Sequence, residues 1–288
     1  EAITAASQHG LATFYEIDDL IFDPAQFPPP YETYANQITR AEHDAMACGV
    51  PLFEHAMRLC DYGIASTATI AEAMATRVRT GRVFEHHNAL GRLHLSAIRD
   101  AEARPPRDPK APLVLFYGSG TKAHRDDFHT ILEPALARVL KKYPRKVELR
   151  LIGHFDRFRH LDRNRDPIRM IQPIWDFEEF CATVAQADIN LSVLARTEVT
   201  DAKSEIKWME AAMFGIPSVV SATRTHRETI EDGVTGMLCE TPEEFEAALI
   251  RLIEDADLRR RIGSAARDRV MERYAIPAMG ANLARIFD

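Results

Sequence analysis

The sequence predicts an α/β fold: a Rossmann-like, doubly wound parallel sheet, preceded by part of a second Rossmann-like domain. Between residues 107 and 275, short apolar runs alternate with segments whose apolar residues recur at helical spacing, which is the pattern of a doubly wound sheet. The apolar runs are rich in Val, Ile and Leu, as expected for parallel strands that are buried on both faces.

The region 113–275 has enough elements for one complete Rossmann-like domain. We predict strands at 113–117, 147–152, 169–172, 189–194, 218–221 and 236–239. Between them, helical spacing predicts helices at 127–142, 178–186, 205–214 and 243–253, with further helix in the tail 258–287.

The first hundred residues carry fewer strands. We predict strands at 12–17, 62–66 and 82–85, and helices at 34–59 and 69–76. Three strands are too few for an independent Rossmann domain, so we expect a partial, N-terminally truncated one. The opening residues have a pattern typical of a helix end, which leads us to expect a further segment upstream of Glu1.

Composition shifts mark the boundaries between these regions. Four prolines and several charges at 103–112 predict a linker. The chain is therefore divided into a partial domain at 1–102, the linker at 103–112 and a complete domain at 113–275. Residues 276–288 are predicted to form a C-terminal helix that could pack back on the N-terminal part.

Length and charge exclude several classes of function. At 288 residues the chain can form about two domains, and 46% hydrophobic with 27% charged residues is ordinary globular composition. No run of 18 apolar residues predicts a membrane span, which leaves only peripheral membrane contact open. A net charge of −7 disfavours nucleic acid or an anionic membrane as the main partner, so an anionic ligand needs a local pocket.

The cysteines predict neither a disulfide framework nor a zinc site. Cys48, Cys60, Cys181 and Cys239 are scattered, with no CxxC pair and no Cys/His ligand spacing. A reducing, cytoplasmic setting is the simplest expectation.

A glycine turn after the first strand of the complete domain predicts a phosphate site. Gly118, Ser119, Gly120 and Thr121 follow that strand directly and precede a helix. Backbone N–H groups and the two hydroxyls could therefore cradle a diphosphate. Positive charge could come from Lys122, His124 and Arg125. The alternative is a turn that needs glycine only for positive φ, since the motif matches neither GxGxxG nor a Walker A loop.

A second candidate lies on the predicted helix after residue 203. Ser204 is its expected N-cap, Gly215 its C′ residue, and Pro217 stops it before the next strand. An apolar stripe runs along this helix, and Glu210 projects on the same side. Its carboxylate either forms an (i, i+3) salt bridge with Lys207 or accepts hydrogen bonds from two ribose hydroxyls.

Two longer motifs carry a family resemblance. Residues 207–221 (KWMEAAMFGIPSVVS) are close to the pattern K-x-x-E-A-x-x-x-G-x-P-V-V-x-S, and residues 228–238 (ETIEDGVTGML) match E-x-I-x-D-G-x-T-G-x-L. Residues 60–67 are similar to a last acceptor-domain strand, and 87–90 to a P-N-G exit into the linker. On these motifs the chain resembles the family 4 retaining glycosyltransferases of the GT-B fold. Residues 17–23 fit a bacterial envelope-polysaccharide branch.

The resemblance implies a retaining transferase that uses a nucleotide-sugar donor and a glycan, lipid-linked or other hydroxyl acceptor. Residues 1–102 would then be acceptor-side and 113–275 the nucleotide-sugar donor domain. Lysines and a helix N-terminus would stabilise the leaving diphosphate, so neither a metal ion nor a cofactor is expected. The leaving phosphate itself would take the acceptor proton, so no general base is assigned.

Site residues follow from the motif positions. The predicted nucleotide-sugar-binding residues are Gly118, Ser119, Gly120, Thr121, Lys122, His124, Lys203, Ser204, Lys207 and Glu210. The predicted catalytic group is Lys203, Lys207 and Glu210. Where the family usually has a second Glu that holds the donor sugar, this chain has Ala202, and Lys203 or Asp201 is the candidate substitute.

Other interpretations remain open. A metal-dependent transferase could bind Mg²⁺ or Mn²⁺ at Asp18 and Asp19 through a DxD-like motif, although a strand-end cap or an acceptor-side feature fits the adjacent pair better. A GT-B subunit that binds nucleotide-sugar or a partner protein without transfer is a second alternative, prompted by Ala202. His86 and His87 point to opposite faces of a strand, which favours a hinge contact over a metal site.

The segment 175–180 has two alternative interpretations, base stacking and helix capping. This segment lies where the family often stacks the nucleotide base or caps the following helix. Asp176 is expected to cap the following helix.

Overall fold

The computed structural model describes residues 1–34, 38–105, 107–119, 125–153, 155 and 157–288. These residues form two compact units. The small unit comprises Glu1–Ala89, Arg196–Ser204 and Pro277–Asp288, and the large unit comprises Leu90–Ala195 and Glu205–Ile276.

Strands and helices alternate along most of the chain. The described strands are β1 (Phe14–Ile17), β2 (Tyr62–Ala65), β3 (Arg82–Glu85), β4 (Leu113–Gly118), β5 (Val147–Ile152), β6 (Ile168–Ile171), β7 (Ile189–Ser192), β8 (Ser218–Ser221) and β9 (Met237–Cys239). The described α-helices are α1 (Ala2–Gln8), α2 (Arg40–Leu59), α3 (Ala68–Ala75), α4 (Arg92–Glu102), α5 (Arg125–Asp127), α6 (Glu133–Lys142), α7 (Phe177–Val184), α8 (Glu198–Asp201), α9 (Ile206–Ala212), α10 (Arg224–Thr229), α11 (Pro242–Glu254), α12 (Ala256–Arg273) and α13 (Ile276–Phe287). A 3₁₀ turn covers Tyr31–Tyr34, and a π-helical turn covers Phe128–Leu132.

The small unit is built on a parallel sheet of order β1-β2-β3. Helix α2 begins later than the predicted residue 34 because Thr39 and Glu42 form a capping box at Arg40. The core of this unit contains Leu20, Phe22, Met57, Ala65, Ile70, Met74, Val78 and Ala202.

The large unit is built on a six-stranded sheet of order β6-β5-β4-β7-β8-β9, in which every adjacent pair is parallel. Strand order reverses between β4 and β7, which is the topological switch point of a doubly wound sheet. The predicted α/β fold with a Rossmann-like sheet is confirmed.

Both faces of the six-stranded sheet are covered. On β4, Leu115 and Tyr117 face the core formed with α6 and α11, whereas Val114 and Phe116 face the opposite layer. On that second side, Trp208 of α9 is fully buried. Burial of each such large side chain contributes about 1.5–3 kcal/mol, so the helices on both faces are held firmly against the sheet.

Two stretches of the large unit differ from the predicted pattern. The predicted helix 127–142 is interrupted by a π-helical turn, in which the Glu133 N–H donates to the Phe128 carbonyl. Pro134 follows and has no N–H to continue the α-helical ladder, which accounts for the change of pitch. The unpredicted α4 begins after Gly91 and buries Ala97 and Ile98.

The compact units also divide the chain differently from the predicted boundaries. Residues 90–102, predicted with the first domain, belong to the large unit, where α4 packs against α7. Residues 196–204 belong to the small unit, where Ala202 joins the core. Among the described residues, no helix is both long and apolar enough to cross a membrane.

Candidate functional site

A pocket opens in the large unit beside the switch point between β4 and β7. It encloses about 270 Å³. Its polar lining residues are Ser119, Asn190, Lys207 and Glu210. Its apolar wall comes from Phe116, Ile152, Pro173, Ile174, Trp175, Phe180, Val184, Leu191 and Ile206, with Gly118 beside them. We call this the switch-point pocket.

The first two residues of the predicted glycine turn, Gly118 and Ser119, line this pocket. The Ser119 N–H donates to the Ile152 carbonyl at 2.9 Å, which joins the ends of β4 and β5. Gly153 has φ 136°, and a Cβ there would lie 2.6 Å from the Ser119 carbonyl oxygen, so only glycine allows this approach. Gly120, Thr121, Lys122 and His124 lie outside the described residues, so their predicted roles stay predictions.

Helix α9 brings Lys207 and Glu210 to the same pocket. The Lys207 ammonium lies 5.7 Å from the centroid of the Tyr117 ring, within cation–π range. Asn190 of β7 donates from Nδ2 to the Lys207 carbonyl at 3.2 Å and to Ser218 Oγ at 3.0 Å. A buried amide thus ties the first turn of α9 to the sheet.

Sequence reasoning missed Asn190 and Tyr117. Asn190 interrupts an otherwise apolar strand, which is a usable signal for a buried polar contact. Tyr117 carries no such signal, because its contact with Lys207 joins residues that are distant in the chain.

The protonation of Glu210 is strongly perturbed. Burial raises the pKa of the Glu210 carboxyl to about 7, although nearby Lys207 acts in the opposite direction. Burial, aided by Glu210, also raises the pKa of the adjacent Cys181 thiol to about 12. Near neutral pH, Glu210 can therefore exchange between an ionised acceptor and a protonated donor.

The predicted Ser204 N-cap is wrong. Helix α9 begins at Ile206, and the N-cap position falls on Glu205. Ser204 and Lys203 belong to the small unit, where Lys203 Nζ forms an ion pair with Asp19 at 2.5 Å. Lys207 and Glu210 therefore share the switch-point pocket within the large unit, while Lys203 is engaged by a carboxylate of the small unit.

Glu205 is instead part of a buried polar group at the start of α9. It is 1% exposed, and its carboxylate interacts electrostatically with the Tyr274 hydroxyl. Burial, followed by the charge of Glu205, raises the pKa of the Tyr274 hydroxyl. His226 Nδ1 lies 2.7 Å from the Ser221 carbonyl, and burial lowers the pKa of its imidazole. The interaction with Tyr274 lies at the N-terminal end of α9.

Ala202 occupies a core position and not a polar one. Its side chain is fully buried in the small unit. Thr67 Oγ1 donates to the Ala202 carbonyl at 3.1 Å, and Thr69 Oγ1 donates to the Asp201 carbonyl at 3.2 Å. The position where the resemblance expects a sugar-binding carboxylate is thus built for an apolar side chain.

The structure also describes the surroundings of the remaining candidate residues. Asp176 caps α7 as predicted, since its carboxylate accepts the Glu179 N–H at 2.8 Å. Trp175, at the wall of the switch-point pocket, is 90% exposed. His86 Nδ1 lies 2.7 Å from Asn282 Oδ1. Within the described part of the chain, no group of three or more His, Cys, Asp or Glu residues is arranged to hold a metal ion.

Comparison with known proteins places these features in a family. The model for glycosyl transferases group 1 matches residues 111–255, half of the chain. None of the curated protein sequences matches significantly.

Several solved structures are similar in fold. Anabaena HepE in complex with UDP-glucose has a TM-score of 0.63 at 17% identity, over 99% of this chain and 74% of that one. A UDP-forming α,α-trehalose-phosphate synthase from Burkholderia xenovorans has a TM-score of 0.63 at 13% identity, over 99% and 71%. S. aureus TarM in complex with fondaparinux, α-GlcNAc-glycerol and UDP has a TM-score of 0.64 at 13% identity, over 96% and 51%.

At these identities the structural likeness establishes the fold, which is GT-B. The family match spans β4 to α11 and includes every residue that lines the switch-point pocket. By this match, the chain belongs to the group 1 glycosyl transferases.

Proposed function

We propose that the chain binds a nucleotide diphosphate-sugar in the switch-point pocket and transfers its sugar to a hydroxyl of a glycan or lipid-linked acceptor. The observation that carries the proposal is the convergence of Lys207, Glu210 and the Gly118–Ser119 turn on one pocket at the switch point. In doubly wound sheets, ligands bind at the carboxyl ends of the strands beside the switch point.

Each part of the donor has a matching part of the pocket. The apolar wall formed by Ile152, Ile174 and neighbouring side chains suits a nucleotide base. Glu210 would accept hydrogen bonds from two ribose hydroxyls in its ionised form. Lys207, one turn nearer the helix start, would contact the diphosphate together with the backbone at Ser119.

The same arrangement supports chemistry without a metal ion. As the carbon–oxygen bond to the diphosphate breaks, negative charge grows on the leaving phosphate, and a fixed ammonium such as Lys207 stabilises it. We propose retention of configuration, with the leaving phosphate taking the acceptor proton, so that no separate general base is needed. Lys203 belongs to the small unit and forms an ion pair with Asp19, so its predicted catalytic role stays a prediction.

Uridine nucleotides are the first donors to test, because the similar HepE and TarM structures contain UDP-glucose or UDP. A hexosyl donor and a role in bacterial envelope polysaccharide synthesis complete the proposal. The resemblance of residues 17–23 to a bacterial envelope-polysaccharide branch supports the envelope role.

A thermal-shift panel of UDP-, GDP-, ADP- and dTDP-sugars, each with and without EDTA, tests this function. A ligand at 100 times its Kd adds about 2.7 kcal/mol to the stability of the folded state, or roughly 5–10 °C for a unit of this size. We expect one nucleotide class to give such a shift in the presence of EDTA. Equal melting temperatures with every nucleotide-sugar would contradict the proposal.

A non-catalytic role is the second candidate, favoured by the burial of Ala202 where the resemblance expects a catalytic-site carboxylate. Such a subunit would bind nucleotide-sugar without turnover. Release of nucleoside diphosphate in the presence of acceptor glycans distinguishes the two roles, since only a transferase produces it.

A further inference from the structure

A fully buried carboxylate lies on α6, outside the lining of the switch-point pocket. Glu133 is 0% exposed. Its Oε1 accepts the backbone N–H groups of Arg159, His160 and Leu161 at 2.5, 2.6 and 3.1 Å. Its Oε2 hydrogen-bonds to Nδ1 of His129, which is 5% exposed. We call Glu133 and His129 the loop clamp.

Stability alone does not explain this carboxylate. Removing a carboxylate from water is costly unless it is paired and hydrogen-bonded, and an apolar replacement of similar volume often stabilises a core equally well. What an apolar side chain cannot do is hold three successive N–H groups at one point. The loop clamp therefore fixes the conformation of residues 159–161.

The pinned segment continues from the end of β5, where the pocket begins. Gly153 approaches the Ser119 carbonyl so closely that a Cβ would lie 2.6 Å away. At the other end of the segment, the Arg159 guanidinium pairs with Asp126 of α5 at 3.2 Å. The segment thus contacts the chain on both sides of the glycine turn.

Contacts between aromatic rings connect the same segment to Lys207. Phe155 of the segment lies 4.9 Å from the ring of Phe128, in the π-helical turn, and 6.0 Å from the ring of Tyr117. Tyr117 is the ring under the Lys207 ammonium. A shift of the segment would therefore move both the Ser119 turn and the ring that faces Lys207.

We propose that Glu133, together with His129, is a positioning residue for the switch-point pocket. It acts through Gly153, Phe155 and residues 157–161 to hold Ser119 and the Tyr117 ring in the geometry that a diphosphate requires. The assignment to a diphosphate site rests on the proposed function, whereas the coupling between Glu133 and Ser119 does not.

Hydrogen exchange of the ligand-free protein tests the coupling directly. In Glu133→Gln, one neutral oxygen replaces a carboxylate, so we expect faster exchange of the amides at 159–161 and also of the Ser119 amide, which bonds to Ile152. Leu252→Ala, in the same core on α11, is the matched control: it lowers the melting temperature without changing exchange at Ser119 relative to other core amides. Exchange at Ser119 as slow as in wild type would overturn the proposal.

Calorimetric titration with UDP tests the consequence for binding. We expect Glu133→Gln, measured well below its melting temperature, to bind UDP about tenfold more weakly, while Leu252→Ala keeps the wild-type affinity. If Glu133→Gln does not fold, His129→Asn replaces it, because that change leaves the three N–H bonds in place and should give a smaller shift in both measurements. A wild type that binds no nucleotide contradicts the proposed function and leaves the exchange result to decide the coupling. Unchanged UDP affinity in a folded clamp variant contradicts the positioning role.

Discussion

We expect nucleotide binding to depend on pH through the raised pKa of Glu210. If two ribose hydroxyls donate to the ionised carboxylate, protonation of Glu210 must be reversed before the ligand binds. With a pKa of about 7 in the free protein, the binding-competent fraction is about 9% at pH 6 and about 91% at pH 8. Nucleotide-sugar affinity should therefore improve about tenfold between these two pH values.

Calorimetry with a nucleotide-sugar at pH 6, 7 and 8 measures this dependence. A nucleotide-sugar is preferable to a free diphosphate, because its diphosphate is esterified at both ends and does not titrate in this range. Glu210→Gln is the control: it should bind about tenfold more weakly than wild type at pH 8 and lose the pH dependence. A wild-type affinity that is flat from pH 6 to 8, or a pH dependence retained in Glu210→Gln, would refute the assignment of Glu210 to the ribose.

Three further predictions concern single residues. The folded-state pKa of Glu210 lies above the ordinary 4.5, so its contribution to stability is present below about pH 4.5 and lost as the pH rises through 7. In urea unfolding, the stability of Glu210→Gln relative to wild type should therefore rise by up to about 3 kcal/mol from pH 4 to pH 8. If Glu210 instead formed a structural salt bridge, Glu210→Gln would be less stable than wild type at pH 8. Lys207→Ala should weaken nucleoside diphosphates about tenfold and leave nucleosides unchanged in calorimetry; equal losses for both would remove its diphosphate role. Ala202→Glu should lower the unfolding free energy by about 3–5 kcal/mol, because a charge in the core of the small unit is removed from water. Ala202→Ser, which adds only a hydroxyl, is the control and should cost less. An Ala202→Glu variant as stable as wild type would contradict the assigned burial.

Local patterns were sufficient to predict most of the large unit. Its strands are apolar runs buried on both faces, so their positions follow from composition, and the prediction for 147–152 coincides with β5. The motif around Lys207 and Glu210 likewise identified two residues that line the switch-point pocket. Both successes depend on residues that are close in sequence.

The errors arise where distant parts of the chain decide the outcome. Ser204 has the right side chain for an N-cap, yet helix α9 starts one residue later than predicted. Glu205 takes the N-cap position and interacts with Tyr274, which is distant in the chain. The burial of Ala202 in the core of the small unit is likewise not visible in the sequence. The support given by Glu133 depends on contacts that periodicity cannot indicate.

A crystal structure of the chain with the nucleotide-sugar that gives the largest thermal shift tests the central claim most directly. The account predicts a nucleotide in the switch-point pocket, with both ribose hydroxyls within about 3.2 Å of the Glu210 carboxylate and the diphosphate in contact with Lys207. A nucleotide bound elsewhere, or one in this pocket with its ribose turned away from Glu210, would contradict it.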